Sequence, residues 1–297
     1  MSDYNINIIG YGYVGGAMGH LCKLNNIRVN VHDTFYKDVA HYFYNLNELV
    51  INSEACEQDK LNVYFICVPT PSKDNGNDDD NHGDCDTSIV MSVISQLNSM
   101  VTKNSIIILK STVTPGTSID INKTITNEKI KFVFCPEFLR ESSYLDDIAN
   151  ADFVLLGIND SVNEDTKKCL TRVFKNLYGH KMEEIDVIFE DYTICEMFKY
   201  TVNVFLATKV WYFNEIYQIC NKFDIQYNKL RNLFRLEDRI GESHTQVPGP
   251  DGLMGFGGKC LVKESKGMAR LQERLGLPNE IMTKILLRNK TLRNNTI

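Results

Sequence analysis

The sequence of 297 residues has no Cys-x-x-Cys pair, and its nine cysteines are an odd number. Neither a zinc knuckle nor a disulfide framework is suggested, and reduced thiols in a cytoplasmic setting are expected. No apolar run reaches the length of a membrane span, and the first ten residues are too short and polar for a secretory leader. Positive charge is not in excess: 32 Lys and Arg stand against 38 Asp and Glu, a net charge of −6. That balance argues against a nucleic-acid or anionic-membrane surface and leaves room only for a local basic pocket. Internal repeats are absent. The one low-complexity stretch, Ser72 to Asp86 with its Asp78-Asp79-Asp80 run, reads as a solvated loop. Its oxygens lack the ordered spacing of a calcium loop, so no metal is expected.

What is present is a core. At 43% hydrophobic and 24% charged residues the chain is globular and long enough for two domains. Short runs rich in Val, Ile and Phe at Asn5 to Ile9, Ile27 to His32, Leu61 to Val68, Ser105 to Leu109, Lys131 to Cys135 and Phe153 to Gly157 read as strands. Helical spacing appears between them at Val14 to Leu24, Ser88 to Met100 and Val162 to Leu177. The alternation predicts an α/β fold with a doubly wound, mostly parallel sheet over residues 1–187. Residues 188–297 are predicted helical, led by a long helix from Tyr192 to about Phe223 with no Gly or Pro inside it.

Gly10-Tyr11-Gly12-Tyr13-Val14-Gly15 follows the first strand and opens the first helix, with Asp33 at the end of the next strand. This is the full context of a dinucleotide loop: glycines admit a pyrophosphate to the helix N-terminus, and a carboxylate binds a ribose diol while repelling a 2′-phosphate. NAD is expected over NADP. Ligands collect beyond the carboxyl ends of parallel strands. There lie Cys67-Val68-Pro69-Thr70-Pro71, a pocket wall or a stiffened loop, and Lys110 to Thr117, whose hydroxyls cap a helix or face ligand. Pro136-Glu137-Phe138-Leu139-Arg140-Glu141 follows the fifth strand. If that turn is helical, Glu137 and Glu141 share a face suited to proton transfer; two surface acids would look the same.

On the long helix, Glu196, Lys199 and Asn203 fall at i, i+3 and i+7, beside Phe205 and Leu206. The spacing fits a solvated charge stripe, or a Lys and an Asn that stabilise an oxyanion. Near the C-terminus Gly257-Gly258-Lys259-Cys260-Leu261-Val262-Lys263-Glu264 sets one thiol between a glycine pair and a Lys/Glu pair at the mouth of a helix. First-turn N–H groups and an ammonium there favour a reactive thiolate.

Taken together, these motifs and Arg239-Ile240-Gly241 resemble the UDP-glucose/GDP-mannose dehydrogenase family, from Asn7 to about Arg293. The resemblance implies a nucleotide-sugar 6-dehydrogenase, closest to one acting on UDP-glucose to give UDP-glucuronate, that oxidises a primary alcohol twice with two NAD molecules. It implies that Cys260 traps the aldehyde as a thiohemiacetal and carries the later thioester, and that Lys199 and Asn203 stabilise the oxyanion. In the same reading Glu137 does acid/base work, Thr112 and Glu141 are cofactor-side and water-binding partners, and Glu264 completes the catalytic group. The implied cofactor contacts are Gly10, Gly12, Tyr13, Val14, Gly15, Asp33, Val68, Pro69, Thr70, Thr112, Glu141 and Lys263. Beside Glu137, Lys199 and Asn203, the implied substrate contacts are Phe138, Leu139, Phe256, Gly257 and Arg239, the last reaching a neighbouring subunit's substrate in a homodimer built on the central helix.

The chain departs from the family at Glu264, where the family motif has Asp, and in the longer loop Gly249 to Gly255. It also stops at Ile297, where the family's C-terminal nucleotide-closing domain would start. A second reading is therefore an impaired NAD- and sugar-nucleotide-binding protein that pairs with a full-length partner. A third is a two-electron hydroxy-acid dehydrogenase, which would not need the thiol.

Overall fold

A computed structural model describes residues 3–36, 38–55, 60–73 and 83–294. The Asp78-Asp79-Asp80 stretch lies outside the described residues. The strands are β1 (Tyr4–Ile9), β2 (Val29–His32), β3 (Tyr42–Phe43), β4 (Leu61–Ile66), β5 (Ser72–Lys73), β6 (Asp84–Cys85), β7 (Ser105–Leu109), β8 (Ile130–Phe134), β9 (Phe153–Ile158) and β10 (Asp186–Asp191). The helices are α1 (Tyr13–Leu24), α2 (Leu46–Ala55), α3 (Ser88–Met100), α4 (Thr117–Thr124), α5 (Tyr144–Ala149), α6 (Glu164–Leu177), α7 (Tyr192–Lys222), α8 (Tyr227–Phe234), α9 (Lys259–Arg274) and α10 (Glu280–Asn294).

The chain divides into two compact units: Met1–Thr70 with Asp86–Lys199, and Pro71–Cys85 with Tyr200–Ile297. Unit 1 holds an eight-stranded sheet in the order β10-β9-β8-β7-β4-β1-β2-β3. Every pairing is parallel except β8 with β9. The doubly wound α/β fold expected from the strand–helix alternation is therefore observed. Both faces are covered, and the period-2 alternation of strand side chains sorts them. Ile6, Ile8, Phe65, Ile108 and Val133 pack against α1 and α6, while Ile9, Tyr64, Ile66, Ile107 and Phe132 pack against α2 and α3. On the second face β1 buries Asn7 instead of an apolar residue, and the amide accepts from Asn30 (3.0 Å) and Ser53 (2.5 Å). Those bonds offset the desolvation of a side chain that would otherwise be costly at this depth.

Several boundaries shift from the sequence reading. β2 begins at Val29, not Ile27, because the Ile27 N–H bonds back to Cys22 O (2.8 Å) and closes the end of α1, with Asn26 left-handed at φ 53°. β4 ends at Ile66, since the Cys67 N–H makes the last ladder bond, to Ile9 O (2.7 Å), and the chain then turns at Val68-Pro69. α6 starts at Glu164 rather than Val162, because Asn163 caps it by accepting from the Thr166 N–H (2.9 Å).

Unit 2 packs Val204 and Ala207 of α7 with Phe256, Ala269 of α9, and Ile285 and Leu286 of α10. A second cluster joins Phe213 and Cys220 to Tyr227 of α8 and Val247. The antiparallel β5–β6 hairpin belongs to this unit, with Asp84 beside Arg270 (3.7 Å) and Arg274 (3.5 Å) of α9. Among the described residues no helix is long and apolar enough to cross a membrane.

Candidate active site

The glycine loop sits where the sheet order reverses, between β1's neighbours β4 and β2, at the crevice that collects ligands in such sheets. Gly10 adopts φ +87°, and a Cβ there would lie 2.8 Å from the Cys67 carbonyl. At Gly15 a Cβ would overlap the Gly10 carbonyl, so α1 can start this close to β1 only through glycine. Gly12 is the N-cap of α1, makes no side-chain cap, and has open space where its Cβ would be; the first turn carries no acid. Uncapped N–H groups facing open space fit a pyrophosphate. Asp33 accepts from the N–H groups of Tyr11 (2.6 Å), Phe35 (2.6 Å) and Tyr36 (2.9 Å). That fixes its carboxylate against the glycine loop, at the end of β2 where a ribose diol is read. Thr70, at the end of the β4 loop, donates to Thr112 O (2.8 Å), tying two expected cofactor-side residues together.

The 137–141 turn corrects one expectation. Residues 135–140 adopt no regular secondary structure and 141–143 form a turn, so Glu137 and Glu141 share no helical face. Between them the Arg140 N–H bonds forward to Asp147 Oδ2 of α5 (2.7 Å) instead of back into a helical turn. Glu141 is exposed and hydrogen-bonds the Tyr13 phenol of the glycine loop, raising that phenol's pKa. Glu137 instead forms an ion pair with Lys110, whose side chain is 3% exposed against 13% for the carboxylate. Lys110 also donates to the Cys135 sulfur at 3.2 Å. Burial alone would lower the Lys110 pKa, but Cys135 and the Glu137 carboxylate outweigh it and hold the ammonium above the ordinary lysine range. The pair lines a cavity of about 200 Å³ together with Cys135, Phe138, Leu139 and Tyr178.

Lys199 is buried, with its ammonium 5.2 Å from the centre of the Phe138 ring. Phe138 is held in turn by edge contact with Phe198 at 5.4 Å. The Lys199 side chain is thus no part of a solvated stripe. Neither is Glu196, which is fully buried and accepts from Gly116 N (2.6 Å) and Ser118 N (2.7 Å) at the start of α4. Burial pushes its carboxyl up to about 7, only partly offset by those bonds. Phe205, by contrast, faces outward.

In unit 2 Cys260 is the second residue of α9, whose N-cap Gly258 has φ +76° and whose first turn holds no acid. Among the described cysteines it alone is exposed. Two of the buried ones are poor nucleophiles at neutral pH: burial pushes Cys135 up to about 11 and Cys195 up to about 12. One helical turn below Cys260, Glu264 is fully buried and accepts from Asn203 Nδ2 of α7 at 2.7 Å. The residue that departs from the family motif therefore joins Asn203 to the helix that bears Cys260. Phe256 is buried, Lys263 and Gly257 are half-buried, and Arg239 is exposed with a bidentate bond to Glu237 (2.6 and 2.8 Å).

In the sequence Lys110 stands only as part of a loop, and no motif marks Asn214 or Asn289, whose amides hold the segment before Cys260. A mid-helix Asn is a usable signal, because its side chain competes with the helix backbone unless it has work elsewhere. No sequence signal joins Lys110 to Glu137, which come from different strand ends.

A glycine-loop mouth at the reversal of a doubly wound sheet, joined in one chain to an exposed thiol at a helix mouth, defines the class of dinucleotide-dependent dehydrogenases. Residues 4–178 match the NAD binding domain of the UDP-glucose/GDP-mannose dehydrogenase family, and residues 193–291 match the family's central domain. The chain belongs to that family, and its cofactor is NAD. It is 29% identical over 316 residues to UDP-glucose 6-dehydrogenase of Rickettsia conorii, covering 99% of this chain and 68% of that protein. It is 27% identical to UDP-glucose 6-dehydrogenase YwqF of Bacillus subtilis, covering 95% of this chain and 65% of that one. The chain thus spans about two thirds of these relatives. A UDP-glucose dehydrogenase structure from Pyrobaculum islandicum shares the fold, with a TM-score of 0.76 at 22% identity over 97% of this chain and 68% of that one.

Proposed function

We propose that the chain is an NAD-dependent nucleotide-sugar 6-dehydrogenase that takes a primary alcohol through the aldehyde to the carboxylate, with UDP-glucose as the substrate to try first. The observation that carries this reading is the Asn203–Glu264 bond one turn beneath an exposed Cys260 at the mouth of α9. A simple alcohol dehydrogenase has no use for a thiol so supported.

When bound, NAD would supply the hydride acceptor for each of the two oxidations. Gly10, Gly12, Tyr13, Val14 and Gly15 would hold its pyrophosphate, Asp33 its ribose, and Val68, Pro69, Thr70, Thr112 and Glu141 are further proposed contacts, as is Lys263 of α9. The Cys260 sulfur adds to the aldehyde carbon, and the hemithioacetal hydroxyl forms as the carbonyl oxygen takes up a proton. Lys199 and Asn203 stabilise negative charge on that oxygen, worth about 3 kcal/mol for a single well-placed donor. After the second oxidation Cys260 carries an acyl group as a thioester. Glu137 takes a proton from the attacking water; the carbon–sulfur bond breaks, Cys260 leaves as thiolate and the carboxylate product departs. Tethering keeps the aldehyde from escaping between the steps. Phe138 and Leu139, and in unit 2 Phe256 and Gly257, are the proposed sugar contacts.

The chain acts as a homodimer in this reading. Along α7, Phe198, Phe205, Tyr212 and Ile219 recur at seven-residue spacing and all are exposed, flanked by Ile194 and Phe223. Such a stripe is a seam for a second helix, and it would bring Arg239 to the neighbouring subunit.

The test is NADH formed per UDP-glucose consumed. Two per sugar, lost in Cys260→Ala while NAD still binds, is the expected result. One per sugar, or full turnover in Cys260→Ala, would overturn the covalent route.

A further inference from the structure

The segment leading into Cys260 is held by two buried amides. Asn289 of α10 accepts from the Phe256 N–H (2.7 Å) and donates to the Phe256 carbonyl (2.9 Å), closing a ring on both polar groups of one residue. One residue earlier, Asn214 of α7 accepts from the Gly255 N–H (2.8 Å) while its own amino group donates to Val210 O (2.8 Å). Both side chains are buried, Asn214 at 1% and Asn289 at 6% exposure. The primary amide supplies donor and acceptor on one short side chain at every pH, which neither Leu nor an ionised Asp does.

The glycine here has a specific reason. Gly255 is at φ +73°, and a Cβ would fall on the Asn289 carbonyl oxygen. The Phe256 ring, 2% exposed, locks the same residue into the core of α7, α9 and α10. At Gly257 a Cβ would meet the Arg293 guanidinium at 2.6 Å, and that group is anchored on Asp251 at 2.7 Å. The Gly255 N–H and both polar groups of Phe256 are therefore bonded from α7 or α10, and Gly257 packs against Arg293 of α10, just before the chain turns into α9. Two amides in helix interiors cost stability unless they are bonded, and all of their bonding to other segments goes to this one stretch.

We propose that Asn289, with Asn214, is a positioning residue for the nucleophile: the amide clamp sets where α9 begins and hence where the Cys260 sulfur stands. The proposal rests on the reading of Cys260 as nucleophile. A shift of about 1 Å at a reacting atom costs roughly 10²-fold in rate, so the clamp is expected to show in kcat more than in KM.

Asn289→Asp and Asn289→Leu in the full chain are the variants, each measured for turnover of UDP-glucose, NAD affinity, urea midpoint and iodoacetamide alkylation of Cys260 across pH 6–9, read by peptide mass. Both are expected to bind NAD as the parent does, with kcat lower by roughly 10²-fold for Leu and an altered alkylation profile. Protonated Asp restores both hydrogen bonds, so Asn289→Asp should approach the parent alkylation rate at the acidic end and diverge as pH rises; a merely structural loss would give no such convergence. Folded variants with parental kcat and alkylation profile would overturn the proposal, as would a fall in kcat matching only the unfolded fraction. Should Asn289→Leu not fold, Asn289→Asp decides alone. Full turnover in Cys260→Ala would overturn the nucleophile reading instead, and the alkylation profiles would still report whether the clamp places this residue.

Discussion

Removing the Lys110 ammonium should expose how strongly the Glu137 carboxylate depends on it. The pair is almost wholly shielded, at 3% and 13% side-chain exposure, and Lys110 has Cys135 as its other neighbour. Lys110→Met keeps the length and apolar volume of the stem while leaving a carboxylate without its cation. Breaking a buried pair from one side costs about 3–5 kcal/mol, because the surviving charge has lost water and gained nothing. Glu137→Gln strands the ammonium, which retains the Cys135 contact, so a smaller loss of about 2–3 kcal/mol is expected. In the double variant neither charge remains, and the loss should be smaller than the sum of the single losses by at least about 2 kcal/mol. Urea titrations of all four proteins by circular dichroism, with slopes compared to confirm that the same surface unfolds, supply the cycle. Additive losses would refute the coupling. The double variant should also be inactive in spite of its recovered stability, because the proton acceptor is gone.

Asp33 should make NAD bind at least about 100-fold more tightly than NADP, equivalent to about 2.8 kcal/mol of like-charge repulsion; calorimetry giving equal affinities would remove that role. Glu196 has a folded-state pKa raised to about 7 by burial. The folded chain then holds this proton more tightly than the unfolded chain, so stability should fall with rising pH between about 4.5 and 7, by up to about 1.4 kcal/mol per unit, and flatten above. Glu196→Gln should abolish that slope, and an unchanged slope would count against the assignment. Phe205→Glu on the exposed α7 stripe should convert a dimer to a monomer by light scattering with NAD affinity intact; an unchanged mass would place the seam elsewhere.

The sheet was legible because β1, β4, β7 and β8 are short, mainly apolar runs between turn residues, and because both faces are covered the apolar residues do not simply alternate with polar ones. α2, with the sequence LNELVINSEA, was not read as a helix: it carries Asn and Ser among its apolar residues, and its buried face is only Leu46, Leu49, Val50 and the polar Ser53. β10, DVIFED, was missed because an edge strand with acids at both ends lacks the apolar contrast of its neighbours. In the candidate site, local motifs revealed the glycine loop and the helix mouth at Cys260. Pairings across long separations were invisible, since Glu196 reaches Gly116 over 80 residues and Lys110 meets Glu137 from another strand end. The helical spacing of Glu196, Lys199 and Asn203 was read correctly as geometry, but its usual meaning, a wet face, failed because each of the three has a partner in the interior.

The β5–β6 hairpin has a bearing on how this chain is made. Its Asp84 waits 190 residues for Arg274. At ribosomal speeds of about 5–20 residues per second, that interval is roughly 10–40 s. Unit 2 therefore begins before most of unit 1 is synthesised and is completed last. A clone starting at Tyr200 would omit the strand pair that anchors the helix bearing Cys260, so anyone wishing to express the thiol-bearing half alone must graft residues 71–85 back onto it.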